Sequence, residues 1–189
     1  MRAPIRKSAR GWLLIITLIL IAPQGGVSQL NSNVSSVVLT GTLLETLTVA
    51  AAPAAVAFNL AAGSAATGTT PVAVTTAWIL GPARTTVNVY GSFASSTAAL
   101  TDGSAHNIPS ADVLGQVTTG LPTTFTAFTQ TGPFGAGGAS LELLSQTISI
   151  TNLNSTRTDN LNLKIDLTSA PQTPAGVYTG TLNIQAQAL

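Results

Sequence analysis

Apolar and polar side chains alternate along most of the chain after residue 36, which is the pattern of β-strands with one buried face. The first such stretch covers residues 37–49, with Val37, Leu39, Gly41, Leu43, Leu47 and Val49 on one face. Further strands are predicted over residues 56–60, 72–80, 87–93, 125–130, 144–150, 161–167 and 178–188, and a weaker pair flanks Thr101-Asp102-Gly103. Gly, Pro and Asn separate these stretches, and no helical periodicity follows residue 28. The chain therefore predicts an all-β fold, an antiparallel sandwich or barrel.

The first 28 residues have a different pattern. Four basic side chains come first, at Arg2, Arg6, Lys7 and Arg10. An apolar run over residues 12–22 follows, and the small residues Gly26 and Ser28 come after it. This order is typical of a secretory signal peptide. We expect residues 1–28 to be cleaved, leaving Gln29 as the mature N-terminus and residues 29–189 as a single domain in the periplasm, at the cell surface or outside the cell.

A retained membrane anchor is the alternative interpretation of the same apolar run. Residues 12–22 make a run of about eleven residues, whereas crossing a bilayer requires roughly 20. We therefore expect no stable membrane span in the mature chain.

Charge excludes several classes of partner. Charged residues are 7% of the chain, against about 25% in ordinary globular domains. After residue 28 only Arg84, Arg157 and Lys164 are basic, against six acidic residues, for a net charge of −3. Binding to nucleic acid requires clustered Lys and Arg, so no nucleic-acid partner is expected. The absence of cysteine also excludes disulfides and thiol chemistry.

The C-terminal segment carries a resemblance to known proteins. Residues 174–184, Pro-Ala-Gly-Val-Tyr-Thr-Gly-Thr-Leu-Asn-Ile, resemble the P-A-G-x-Y-x-x-x-L-x-I ending of bacterial exported β-sandwich proteins of the fimbrial-subunit-like and spore-coat-U-like kind. Residues 47–60 are similar to their opening, and residues 101–109 to a turn found in uncharacterised members. The resemblance implies an immunoglobulin-like β-sandwich and export. It implies no catalytic residue, and the chain lacks the cysteines common in those proteins.

Candidate polar sites each have a simpler interpretation. His106, the single histidine, and Asp102 could form a metal or acid–base pair, but the Asp-Gly sequence favours a polar hairpin tip. The aspartates Asp102, Asp112 and Asp159 are too scattered for a calcium loop. The glycine-rich residues 132–138 lack the lysine of a phosphate loop and are expected to form a hairpin tip. No G-x-S-x-G sequence is present for a serine hydrolase.

Two glutamates could be imagined as the carboxylate pair of a glycosidase. Both Glu45 and Glu142 fall in strand patterns, and Glu45 has the buried parity of Leu43 and Leu47. A charge pointing inward on an edge strand, which blocks unwanted pairing, is the preferred interpretation. We therefore expect no catalytic, cofactor-binding or metal site, and no cofactor.

The aromatic residues are divided by strand parity. Trp78 shares its face with Val72, Val74 and Leu80, so it should lie in the core. We expect its neighbours to include Val74, Val89, Leu163 and Ile184. Tyr90 and Phe128 have the opposite parity in their strands and are the candidates for exposed aromatic side chains.

These patterns favour a non-enzymatic structural or adhesive protein, secreted or at the cell surface, such as a fimbria-like fibre subunit. Its partners would be copies of itself or other surface subunits, joined by strand addition. Residues 29–49 are long enough to leave a donor piece free, with residues 29–36 the loosest part. The slightly preferred interpretation of this segment is that it is simply the first strand of a self-complete sandwich. A monomeric carbohydrate-binding or ligand-binding sandwich is the alternative function.

An eight-stranded outer-membrane barrel is a weaker alternative. Such a barrel needs aromatic girdles, whereas aromatic residues are 5% of this chain and the last residue is Leu189.

Overall fold

The structure is a computed structural model that describes residues 30–189, so the predicted signal peptide lies outside the described residues. The elements are β1 Thr46–Ala52, β2 Ala65–Thr67, β3 Val72–Ile79, β4 Thr86–Ser92, β5 Leu100–Thr101, β6 Asn107–Ile108, a 3₁₀ turn Ser110–Asp112, β7 Val113–Val117, β8 Thr126–Ala127, β9 Ser140–Thr147, β10 Asn154–Asp166 and β11 Asn183–Ala188. Residues 42–189 form one compact unit, and residues 30–41 fall outside it.

Two antiparallel sheets form the body of this unit, which confirms the predicted all-β sandwich. The first sheet has the order β1-β3-β10-β7-β8, with β2 paired to the end of β10. The second sheet has the order β11-β4-β9, and β5 and β6 form a separate hairpin. Strand β1 therefore lies at the edge of one sheet and β11 at the edge of the other.

The core between the sheets comes from the alternation that the sequence shows. Strand β3 buries every second residue, and so does the second half of β10. A bulge opposite Val89 and Tyr90 places an extra residue in β9, so Leu143 and Leu144 are both buried. The main core is one continuous cluster with residues from both sheets. A second, smaller cluster consists of Trp78, Leu80, Val87 and Ile148, with Leu47, Leu153 and Ala188 packed against it.

The first strand begins nine residues later than the alternation predicts. Strand β1 starts at Thr46, which pairs with Ile79 at the end of β3. The chain then turns through Gly81 and Pro82, so β3 offers no backbone to residues before Thr46. Residues 30–45 consequently belong to no strand. A buried face for Leu39 and Leu43 was a wrong prediction, since both are exposed.

Other boundaries also differ from the prediction. Strand β7 was missed, because Gly115 and Gln116 interrupt its apolar pattern; a Cβ at Gly115 would press on Leu141 and Leu161. The predicted strand over residues 144–150 is β9, which ends at Thr147 and leaves Ile150 exposed in a turn. Residues 56–60 and 178–182, both predicted as strand, are not part of any sheet, although Thr179 forms one isolated bridge to Thr101.

A candidate assembly groove

An open groove of about 850 Å³ lies beside the two edge strands, where the sheets are not closed against each other. Its lining includes Ala51 at the end of β1 and Ile184 at the start of β11. One lip is formed by residues 53–60, which follow β1. The other lip is formed by residues 176–182, which precede β11. The floor is the main core, reached through Val72, Phe93, Val113, Leu163 and Ile165.

The first lip alternates in burial as a strand does, and the second lip does so only in part. In the first lip Val56, Phe58 and Leu60 are half-buried, while the residues between them are exposed. In the second lip Tyr178 and Leu182 are half-buried, and residues 179–181 are exposed. The apolar parity that the sequence predicts is therefore complete in the first lip and interrupted at Gly180 in the second. Apart from the bridge between Thr179 and Thr101 of β5, neither lip pairs with a strand.

The backbone of the lips makes few hydrogen bonds. Among the described residues, the first lip accepts one backbone hydrogen bond, from Thr69 N–H to the carbonyl of Ala57 (3.0 Å). The second lip exchanges two with Thr101, through the N–H and carbonyl of Thr179 (2.9 Å each). Backbone groups without partners must be satisfied by water or by another chain. An extended segment between the lips could pair with both.

The second lip is held close to the hairpin of β5 and β6. A Cβ at Gly180 would collide with the carbonyl of Ala99, so only glycine allows this approach. The hydroxyl of Tyr178 donates a hydrogen bond to the carbonyl of Pro174 (3.0 Å). In the sequence, only the Pro and Gly residues near the two lips indicate that residues 53–60 and 176–182 are not part of a sheet.

The segment before β1 is rich in exposed apolar side chains. We call residues 30–44 the extension. Among the described residues, seven of the eleven large apolar side chains that are exposed belong to it: Leu30, Val34, Val37, Val38, Leu39, Leu43 and Leu44. Apolar side chains concentrated in this way are typical of a binding segment.

Asp102 and His106 are brought together, as the predicted hairpin tip requires. The Nδ1 of His106 lies 2.7 Å from Asp102 Oδ2, and Asp102 Oδ1 accepts hydrogen bonds from the N–H groups of Ser104 and His106. Gly103 takes the left-handed conformation that this turn needs (φ +81°). The hydrogen bonds from His106 and from Ser104 N–H lower the pKa of Asp102. The arrangement locks a turn.

The two glutamates lie apart and have different partners, and only Glu142 lies in a strand. Glu45, just before β1, accepts hydrogen bonds from Arg84 and from Gly81 N–H. The hydrogen bond from Arg84, followed by that from Gly81, lowers the pKa of Glu45. Glu142, in β9, accepts a hydrogen bond from the hydroxyl of Tyr90 (3.4 Å). Glu45 thus stands at an edge strand, although its side chain is exposed and ion-paired rather than directed into the core.

Asp159 is the buried carboxylate of the sandwich, at 7% exposure. It is hydrogen-bonded to the guanidinium of Arg157 (2.6 and 2.9 Å) and to the hydroxyl of Thr119 (2.5 Å). Burial acts to raise the pKa of Asp159, but the hydrogen bonds from Arg157 and Thr119 and the charge of Arg157 outweigh it, so this pKa is lowered.

All three basic residues of the described chain are ion-paired. Arg84 pairs with Glu45, Arg157 with Asp159, and Lys164 with Asp166 at 3.2 Å. Within residues 30–189, no three His, Cys, Asp or Glu side chains are grouped so that they could hold a metal ion.

One aromatic prediction is wrong. Phe128 is fully buried, with its ring edge-to-face against Phe93 at 5.2 Å, since β8 is only two residues long and does not carry the assumed parity. Tyr90 is half-buried beside Phe134 in the glycine-rich loop.

The burial of Trp78 is confirmed, but its neighbours are not those predicted. It belongs to the smaller cluster with Val87, whereas Val74, Val89, Leu163 and Ile184 belong to the main core. Its indole N–H donates a hydrogen bond to the carbonyl of Asn152 (2.8 Å).

The part of the chain that the structure describes has no helix long and apolar enough to cross a membrane. Comparisons with models of protein families, with curated proteins and with solved structures find no match.

Proposed function

We propose that this chain is a non-enzymatic structural protein, exported to the cell surface or beyond, which assembles with copies of itself by strand addition. The observation that carries the proposal is that an open apolar groove and an exposed apolar segment occur in the same chain. Each is costly in water and each supplies what the other lacks. The immunoglobulin-like topology stays a prediction within this proposal.

The extension matches the groove in length and in pattern. Residues 37–44 and the first lip, residues 53–60, are each eight residues long, about 26 Å when extended. Val37, Leu39 and Leu43 share one face, and the other face has Thr40 and Thr42 at its centre with Val38 and Leu44 at its ends. A strand in the groove would place the first face on the core and the threonines in solvent. Strand addition of this kind draws affinity from backbone hydrogen bonds and specificity from alternate side-chain pockets.

Charge and sequence support the same proposal. A mature chain with few charged residues and many Thr, Ser, Asn and Gln has little long-range repulsion between its copies. The basic and apolar start of the chain favours export. The resemblance of residues 174–184 to exported fimbrial-subunit-like sandwiches falls on the second lip and on the start of β11.

Two variants that differ only in strand parity test the proposal on residues 29–189. Leu39→Glu with Leu43→Glu places charges on the face directed to the groove and should abolish self-association in sedimentation velocity and electron microscopy. Thr40→Glu with Thr42→Glu adds the same charge to the solvent face and should leave assembly intact. If both double variants assemble equally, strand addition by the extension is wrong.

Deleting residues 29–36 gives a second test. This part is mainly polar, and we expect its removal to spare the sandwich and to weaken self-association. If the deletion unfolds the domain, as circular dichroism would show, the segment is part of the fold and is not a donor.

A ligand-binding sandwich is the second candidate, and the size of the groove favours it. Small-molecule sites commonly have volumes of about 300–1,000 Å³ and are mostly apolar, as this groove is. Two results together would support this function over assembly. The protein would stay monomeric at high concentration, and it would bind apolar small molecules that the Leu182→Glu variant does not bind.

A further inference from the structure

Glu45 stands at the junction between the extension and the sandwich, and it is unusually well bound for an exposed side chain. Its carboxylate accepts hydrogen bonds from Arg84 Nη2 (2.8 Å), from Arg84 Nε (3.2 Å to each oxygen) and from Gly81 N–H (2.6 Å). Both side chains of the pair are 41% exposed. Salt bridges with this forked geometry are directional, so the pair holds the Glu45 carboxylate in one orientation against Arg84 and Gly81.

Arg84 and its neighbour Thr85 also bind the end of β11 and the residue after it. Arg84 Nη1 donates a hydrogen bond to the carbonyl of Ala188 (3.3 Å), and the N–H of Thr85 donates one to the carbonyl of Leu189 (2.6 Å). The start of β1, the β3–β4 connection and the end of β11 therefore meet at one end of the sandwich. Ala51, which lines the groove, lies at the other end of β1, about 20 Å along the strand.

We propose that the Glu45–Arg84 pair is the positioning clamp of assembly: it keeps the extension out of its own groove and leaves it available to a neighbouring copy. This inference rests on the proposed function. With β1 fixed from Thr46 onward, an extension that turned back would use residues 38–44 merely to run the length of β1. Only the mainly polar residues 30–37 would then reach the groove. A neighbour's groove receives the apolar residues 37–44 with no such reversal.

Attachment at one end and a groove at the other also set the form of the assembly. Each copy uses two different surfaces, so contacts are head-to-tail, and such contacts give open chains unless their rotation closes a ring. If the clamp opens, β1 can fray from Thr46, the free segment lengthens, and residues 37–44 can reach their own groove. Loss of the clamp therefore converts open chains into self-closed monomers.

The experiment compares Glu45→Gln and Arg84→Gln with Glu142→Gln, which removes the same charge from β9 in the other sheet. In residues 29–189 at equal concentration, we expect each clamp variant to lower the fraction of polymer about two- to fivefold, the range that an exposed ion pair supports. The monomers that accumulate should not bind a synthetic peptide of residues 34–44, because their grooves are filled. The charge-swapped pair Glu45→Arg with Arg84→Glu should restore polymer, and Glu142→Gln should match the wild type.

Three outcomes would overturn the inference. Polymer unchanged in both clamp variants would show that the pair has no part in assembly. If monomers of the clamp variants bind the peptide, their grooves are empty. The substitutions would then only weaken the contact between one copy's extension and the next copy's groove. A wild-type chain that neither assembles nor binds the peptide would overturn the proposed function as well, which the first two outcomes leave standing.

Discussion

The two ends of the sandwich differ in how completely they bury their apolar side chains. At one end Trp78 and Val87 are buried, Leu47 and Ala188 pack against them, and the ion pair of Glu45 lies over the junction. At the other end the apolar side chains of both lips remain half-buried around the groove. We call these the closed end and the open end.

The difference lies in the partners that each edge strand finds. At the closed end β1 and β11 approach each other and share the smaller cluster with the strands beside them. At the open end the chain leaves β1 at Pro53 and reaches β11 only after residue 182, so both edges lack a neighbour. Unpaired edges are the places at which β-proteins join other strands. One pattern of residues thus builds a closed core at one end and leaves an open groove at the other.

Removing the indole should break the closed end. Trp78 is 3% exposed and fills the centre of the smaller cluster, so Trp78→Ala should lower the free energy of unfolding by about 3–5 kcal/mol. Urea denaturation measures the change. A shift under about 1 kcal/mol would mean that the cluster relaxes around the cavity, and that the closed end is no more rigid than the open one.

Breaking the ion pair of Asp159 and Arg157 should give the second-largest loss of stability. Asp159→Asn removes the charge that Arg157 and Thr119 bind, and we expect a loss of about 1.5–3 kcal/mol at pH 7. Because the folded pKa of Asp159 is lowered, its contribution is complete above the ordinary aspartate pKa near 3.9 and disappears as pH falls through the folded value. Urea unfolding at pH 7 and at pH 3 should therefore show a smaller acid loss in the variant than in the wild type. Equal losses would assign the acid sensitivity to other carboxylates.

Truncation at the open end should have a smaller effect. Leu182 is half-buried at the groove, so Leu182→Ala in an unassembled background should lower the free energy of unfolding by only about 1 kcal/mol, roughly half the value of a fully buried leucine. Adding the peptide of residues 34–44 should stabilise the parent and stabilise this variant less, as thermal unfolding would show. A loss as large as that of Trp78→Ala would show that the open end is part of the rigid core.

The smallest effect is expected outside both ends, at the hairpin tip. In His106→Ala, Asp102 keeps the hydrogen bonds from Ser104 N–H and from the N–H of residue 106. We expect the thermal midpoint and the assembly to be unchanged. Loss of a biological activity in a folded His106→Ala protein would revive a chemical role for the pair.

Much of the fold could be predicted from alternation alone. Strand β3 and the second half of β10 can be recognised in the sequence because almost every second residue is apolar; Thr76 in β3 is the exception. The groove could not be predicted in this way. Val56 and Phe58 alternate as a strand does, and only the three-dimensional structure shows that no neighbour pairs with them. Alternation gives the face of a strand but not its partner.

Glu45 shows the same limit at the level of one residue. Its position between Leu43 and Leu47 indicates a charge in an unusual place. The pattern could not reveal its partner, because Arg84 lies 39 residues away in the sequence. The strand boundary at Thr46 depends on where β3 ends, which is equally non-local. Features set by contacts between distant segments are therefore the ones that sequence periodicity misses.

The distribution of charge determines how solution conditions act on the chain. The extension and the residues that line the groove carry no charged side chain, so sodium chloride has nothing to screen where they meet, and its effect falls on the exposed Glu45–Arg84 pair. Contact between the extension and the groove would then follow the ions that change the solvation of apolar surface. Sulfate, which is excluded from protein surfaces, should strengthen it, and urea should weaken it.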